Sequence, residues 1–275
     1  MTGDATAVLR LAGRPVAEYA WRPDLPAALA PRPYLHPVRT LAGTPVTELM
    51  PASHRHHLGV SVAVAEVDGA NFWGGRTFLP GHGPAWLDNQ GTQHHQRWLR
   101  RTDEELSHTL HWTSASGETL LTERRDLTAR LLGEDAWALG FGFTLTNATG
   151  RELAIRSPAV HGRTGAGFGG FFWRAPSGPG GRRDVAPDAH GGHAPWLSVG
   201  GDGWTLLFVA ATPATRGDRW FVRTRDYLGV GSSLSWDTPL ILPPGESLRR
   251  EVVTVIADGD LAPGAIAAHV AVIAP

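Results

Sequence analysis

The rhythm of chain breaks constrains this sequence more than any other feature. Short runs of alternating apolar and polar residues are interrupted, at intervals of roughly 8–12 residues, by clusters of Gly, Pro, Asp and Asn. That pattern suits an all-β sandwich or barrel rather than alternating β and α units. Segments 7–11 and 16–21 flank Ala12-Gly13-Arg14-Pro15, and 34–40 and 45–49 flank Leu41-Ala42-Gly43-Thr44. Segments 107–114 and 119–127 flank Ala115-Ser116-Gly117-Glu118, and 136–147 and 151–156 flank Ala148-Thr149-Gly150. Each pair reads as a hairpin. Segment 60–67 runs into Asp68-Gly69, a pair that tolerates positive φ and favours a tight turn. Runs at 204–210, 220–225 and 248–257 extend the series, and helical spacing is confined to 262–273, opened by Pro263, and to 22–29. The expected fold is all-β: a large antiparallel β sandwich with few short helices, one domain over residues 1–275.

Two Gly- and Pro-rich stretches, 74–93 and 174–195, resist a strand reading. Loops of that length in a compact domain usually carry function. The glycines at 165–170 do not form a phosphate loop, because no Gly-Lys-Ser/Thr follows.

The chain has no cysteine, which removes disulfides, thiolate metal sites and a cysteine nucleophile. All 25 basic residues are arginine, so no lysine base or Schiff base is available. The net charge of -1, without long runs of either sign, argues against nucleic acid as a partner. Neither a leader pattern nor an apolar run of membrane-spanning length is visible, so the expected location is cytoplasmic, with no membrane partner. Self-association into a homo-oligomer stays open.

Eleven tryptophans and thirteen histidines raise the functional question. Histidine transfers protons near pH 7 and binds metals, and indole rings offer flat apolar platforms. The densest cluster is Ser53-His54-Arg55-His56-His57-Leu58-Gly59. On a strand, His54 and His56 would share one face, and Arg55 and His57 the other. His36, the pair His94 and His95, and His161 sit where strands meet loops, whereas His82, His108, His111, His190, His193 and His269 read as structural. No His-Glu-x-x-His spacing and no Gly-x-Ser-x-Gly elbow occurs, and Glu66, Asp68, Asp88, Glu123 and Asp126 read as surface charges. Asn71-Phe72-Trp73-Gly74-Gly75-Arg76 and Gly170-Phe171-Phe172-Trp173-Arg174 place indole beside guanidinium. That combination suits a sugar, since the ring covers C–H faces and the fork binds oxygens.

Four segments taken in order carry a family likeness: Arg32-Pro33-Tyr34-Leu35-His36-Pro37-Val38-Arg39-Thr40, His54-Arg55-His56-His57-Leu58-Gly59, Val67-Asp68-Gly69-Ala70-Asn71-Phe72-Trp73 and Gly169-Gly170-Phe171-Phe172-Trp173-Arg174. With them the chain resembles the bacterial PmoA-like domain family of unknown function. The family's usual His-Pro-His-His-Arg-Gly segment is altered, with Arg55 in place of proline and Leu58 in place of arginine. The inherited name evokes a membrane-bound methane oxygenase subunit and gives no functional guide for a chain without an apolar span. What the resemblance implies is a sandwich similar to that of aldose mutarotases, in bacteria that place such proteins near sugar oxidoreductases and transporters.

The reading that follows is a carbohydrate-active protein whose partner is a small-molecule carbohydrate. Its chemistry would be histidine acid/base work on a sugar or keto-sugar derivative: mutarotation, epimerisation or elimination. His57 and His95 are the expected acid and base, with His161 and His36 orienting the substrate or sharing the role. Arg39, His56, Arg76 and Arg174 would bind oxygens, and Trp73 and Trp173 would stack. No cofactor is expected. The alternatives are a divalent-metal hydrolase, lyase or oxygenase using the same histidines as ligands, and a non-catalytic sugar-binding or sensor module.

Overall fold

The computed structural model describes residues 5–176 and 189–274. Two seven-stranded antiparallel sheets form the body. The first runs Thr6–Leu11, Arg14–Ala20, Tyr34–Val38, Val60–Val64, Gly169–Ala175, Leu228–Ser233, Arg219–Arg223. The second runs Trp196–Gly201, Trp204–Ala210, Ser247–Asp258, Ala136–Asn147, Thr119–Leu131, Glu105–Thr113, Thr92–Arg101. A three-stranded sheet of Leu240–Leu242, Leu153–Arg156 and Glu66–Val67 and a small hairpin of Thr77–Leu79 with Gly83–Ala85 complete the β structure of the described residues.

Alternation along the strands decides which side chains meet. Val60, Val62 and Val64 of one strand, and Phe171 and Trp173 of its neighbour, enter the core between the sheets. There they meet the second sheet: Phe141 lies 5.4 Å from Phe171, and Phe208 lies 5.5 Å from Trp173, between ring centroids. The intervening residues, Ala63 and Phe172, point out of the sandwich, where they join Trp73, Phe221 and Tyr227 in a second apolar cluster. Gly229 lies on that same outer face, because a Cβ there would crowd the Tyr227 and Phe172 rings, and Gly231, two residues on in the strand, shares the face. A third cluster lies on the outer face of the second sheet. Leu207, Val209 and Val255 are covered there by Ile266, Val270 and Ile273 of the helix Pro263–Ile273. No described helix is long and apolar enough to cross a membrane.

The hairpin at Asp68-Gly69 forms as its sequence demands. Both residues have positive φ, +48° and +86°, and Val67 and Ala70 exchange backbone hydrogen bonds across the turn. Elsewhere the boundaries differ from expectation. Residues 22–29 hold only the 3-10 turn Ala27–Leu29, and 45–49 makes isolated bridges rather than a strand. The long loop at 74–93 contains the small hairpin and gives way to a strand at Thr92. Of the stretch 174–195, residues 177–188 lie outside the described residues.

Trp173 is a core residue and not a stacking platform. It is fully buried, and its indole N–H donates to the Val46 carbonyl at 2.9 Å. Trp173→Ala should therefore destabilise the protein by about 3–5 kcal/mol, as deletion of a buried indole does. Chemical denaturation of the variant measures this, and a loss below about 1 kcal/mol would contradict the core assignment.

Candidate functional site

The outer face of the first sheet is roofed by loops, and their local chemistry explains why they hold one shape. Segment 51–57 is not a strand but two successive turns, in which the His54 amide donates to Pro51 O and the His57 amide to His54 O, both at 2.9 Å. The expected alternation of faces therefore does not apply, and His54, His56 and His57 converge. Gly59 ends the segment with φ +45°, and a Cβ there would strike the Leu35 carbonyl. Arg32 binds the loops together from below. It is 1% exposed, and it donates to the carbonyls of Leu29, Ala30, Trp73 and His56 and to the Ser61 hydroxyl, at 2.8–3.1 Å. Burial pushes its pKa down to about 9. Asn71 fixes the next loop, its Oδ1 accepting from the amides of Trp73 and Gly74 at 2.8 Å. Gly74 is required at φ +94°, since a Cβ would lie 2.6 Å from Leu29 O and 2.9 Å from the His56 Cβ.

Between these loops and segment 221–227 lies a cleft of about 860 Å³, within the size range of small-molecule sites. Its floor is a packed set of rings. His57 stacks on His54 at 4.6 Å and meets His56 edge-on at 4.8 Å. The same imidazole contacts Tyr227 at 5.0 Å, Phe172 at 5.1 Å and Trp73 at 5.8 Å. His57 is 2% exposed, and its Nδ1 is buried without a hydrogen-bond partner.

Burial, reinforced by the neighbouring histidines, pushes the His57 pKa far below the usual imidazole range. Burial does the same to His56, down to about 3. His54 is lowered too, mainly by burial with a contribution from Arg174, while Asp226 and Glu48 oppose the shift. Tyr227 is shifted up by burial and stays a phenol. His190 forms a side wall as a fixed neutral tautomer: its Nδ1 accepts from the Val222 amide and its Nε2 donates to Gly165 O.

A smaller pocket shares Trp73, Arg76, Pro84, Arg163 and Phe168 with the cleft. Here His161 Nε2 lies 2.6 Å from Glu66, whose other oxygen accepts from Arg156 at 2.8 Å. Glu66, expected to be a surface charge, is the partner that orients His161.

The remaining expected site residues lie elsewhere. His95 is not part of the cleft. It packs against Trp21 and Trp98 at 4.6 and 5.0 Å, and its Nδ1 meets the Nδ1 of His108 at 2.8 Å. Behind it runs a buried chain. Arg125 donates to the Tyr19 hydroxyl, which lies 2.8 Å from His108 Nε2. Having accepted from Arg125, Tyr19 gives its own proton to His108 Nε2. The His108 proton then sits on Nδ1 and points at His95. His36 bonds the Thr47 hydroxyl at 2.9 Å and does not line either cavity. Arg39 lies in a turn, donating to Gly43 O. Arg174 faces outward but serves the wall from behind, holding Glu48 at 2.7 Å with its guanidinium 4.5 Å from the Tyr227 ring. Of the expected residues, His56, His57, Trp73 and Arg76 line the cleft, and His161 lines the adjoining pocket. Phe168, Phe221, Arg223 and Tyr227 were missed, since each sits singly in an ordinary strand or loop context.

The depressed histidines set an acid limit to stability. In the unfolded chain they titrate near 6.5; in the fold His56 does so near 3, His108 near 2 and His57 lower still. Between those values the unfolded state binds more protons, so stability is complete above pH 6.5 and falls as pH drops toward 3. The slope is about 1.4 kcal/mol per pH unit for each such histidine. Thermal melting between pH 7 and 5 measures it, and a flat profile would refute the burial assignments.

Among the described residues, no three His, Asp or Glu side chains are grouped as a metal site. Three solved structures share partial likeness. One is a heparinase III gene product: TM-score 0.41, 7% identity, covering 92% of this chain and 34% of that one. Another is a polysaccharide lyase: 0.36, 12%, 94% and 34%. The third is a heparan sulfate lyase mutant from Pedobacter heparinus: 0.30, 11%, 62% and 23%. The chain thus spans about a third or less of the length of these proteins. No curated protein matches it. A family model matches residues 6–271, and the chain therefore belongs to the family of unknown function DUF6807.

Proposed function

We propose that the cleft binds a sugar or keto-sugar derivative and moves a proton at the carbon beside its carbonyl. The observation that carries this reading is the contact of the His54, His57 and Tyr227 rings in the floor of a cleft whose described lining also holds Trp73, Trp86, Phe168 and several arginines. The roles divide by environment. His54 is part-exposed and the least displaced base of the three, so it is neutral at pH 7 and ready to accept a proton. His57, held neutral across the working range, donates a hydrogen bond from Nε2 to the carbonyl oxygen and supports the enolate that forms. Tyr227, whose ring lies 4.9 Å from His54 in the same floor, gives its phenolic proton to a departing oxygen on that face, and the proton taken up by His54 restores the phenol. Trp73 and Phe168 offer apolar faces to the ring C–H groups.

This assignment replaces the pairing of His57 with His95. It makes activity persist below pH 6.5, the ordinary imidazole value, because burial keeps the base neutral there. The test is deuterium wash-in from D2O at the carbon next to the carbonyl of aldoses, keto-sugars and uronates, followed by proton NMR. Exchange that vanishes in His54→Ala supports the reading. Tight sugar binding with neither exchange nor turnover on any of them would make the protein a binding module.

A further inference from the structure

We propose that the sugar taken by this cleft is anionic, carrying a carboxylate or sulfate that the arginines lining it receive. The inference rests on the sugar reading above and deepens it. Among the described residues, Arg55, Arg76, Arg163 and Arg223 line the cleft, against a single acidic lining residue, Asp226. Among the described residues, none of those four lies within ion-pair distance of a carboxylate. Elsewhere the fold pairs its arginines where it can, as with Arg151 to Asp68 and Glu118, or Arg250 to Asp218. Lone arginines occur on other surfaces. Four facing one cavity differ, because their fields sum and the low-dielectric ring walls focus them.

Arg223 is the best placed of the four. Its guanidinium lies 4.9 Å over the Phe221 ring and donates to Gly165 O at 3.2 Å. His190, fixed as a neutral ring, stands 3.5 Å from it and offers no charge to satisfy it. The fork therefore keeps N–H groups for a ligand and loses little freedom on binding one. Arg76 lies across the exposed Trp86 ring at 5.9 Å, and Arg163 borders both cavities. A planar oxyanion matches a guanidinium fork bidentately, which a neutral hydroxyl does not.

The experiment compares three disaccharides of equal length by equilibrium titration: neutral, uronate-containing and sulfated. The wild-type protein, Arg76→Ala/Arg163→Ala and Arg223→Gln are each titrated at low and high salt. Arg76 and Arg163 are exposed, so that double variant keeps its fold, as circular dichroism will check. The proposal expects a charged disaccharide to bind more tightly than the neutral one. It also expects that preference to fall with salt and to drop roughly tenfold in the double variant. Preference for the uronate over the sulfated sugar, or the reverse, names the anion. Equal binding of neutral and charged sugars, indifferent to salt and to both variants, overturns the anionic inference and leaves the sugar reading standing. Failure of all three to bind, while citrate binds in an arginine-dependent way, sinks the sugar reading and keeps the anion preference. Binding of none of the four overturns both.

Discussion

His57→Phe is expected to lower turnover by about 10²–10³-fold, the usual effect of losing one donor to a developing oxyanion, while leaving the fold as stable or more so. The two halves of this result have one cause. The His57 ring is packed among Trp73, Phe172 and Tyr227, and its Nδ1 is buried with no partner. A buried polar atom left unsatisfied costs about 1–3 kcal/mol, and an apolar ring of similar shape removes that cost. Proteins tolerate such a fault where function requires it. Steady-state kinetics on whichever sugar shows proton exchange gives the first half, and thermal melting the second. A variant that melts markedly lower with activity intact would mark His57 as a packing residue.

A stability effect as large as that of any core deletion is expected at Arg125. Its guanidinium is fully buried and makes contacts that nothing else replaces: 2.7 and 2.9 Å to Glu123, 3.0 Å to Gln93, 3.2 Å to Tyr19 and 3.1 Å to the Pro33 carbonyl. Glu123 is itself buried and also accepts from the Trp112 indole at 2.7 Å. Arg125→Met would leave that carboxylate without its counter-charge and strip the Tyr19 hydroxyl of its donor. Removing one member of a buried ion pair costs about 3–5 kcal/mol. Arg125→Met/Glu123→Gln should recover part of this, because the uncompensated charge is gone. Denaturant titration of both variants checks it, and a single variant within about 1 kcal/mol of wild type would contradict the network's role.

Where one face of a strand is buried and the other is wet, the fold could be read from residue order. Thr119–Leu131 reads as a strand because Leu121, Leu127 and Ala129 share one face against polar residues, although the buried Glu123 and Arg125 interrupt that pattern. Gly169–Ala175 shows in the sequence only as an aromatic motif, because both its faces are covered: Phe171 and Trp173 by the second sheet, Phe172 and Arg174 by the loops. A strand buried on both sides has no alternation to detect. Thr92–Arg101 failed for the opposite reason, being an edge strand with most of its side chains polar and exposed. The histidine cluster was legible as a site through its density. Its convergence was not, because that depends on two tight turns and on the hydrogen bonds of Arg32. His95 and His57 look equivalent in sequence, and only the sheet to which each neighbourhood belongs separates them.

The sandwich carries its cleft on one outer face and the helix Pro263–Ile273 on the opposite one. Because the chain contains no cysteine, any thiol introduced by mutation is unique. Val272 is 62% exposed on the helix, away from the packed side formed by Ile266, Val270 and Ile273. Val272→Cys thus supplies one chemical handle on the far side of the molecule. Anchored there to a sensor surface, every copy would present its open cleft to the flowing solution in the same orientation, so saccharide libraries could be screened without the attachment chemistry touching the site.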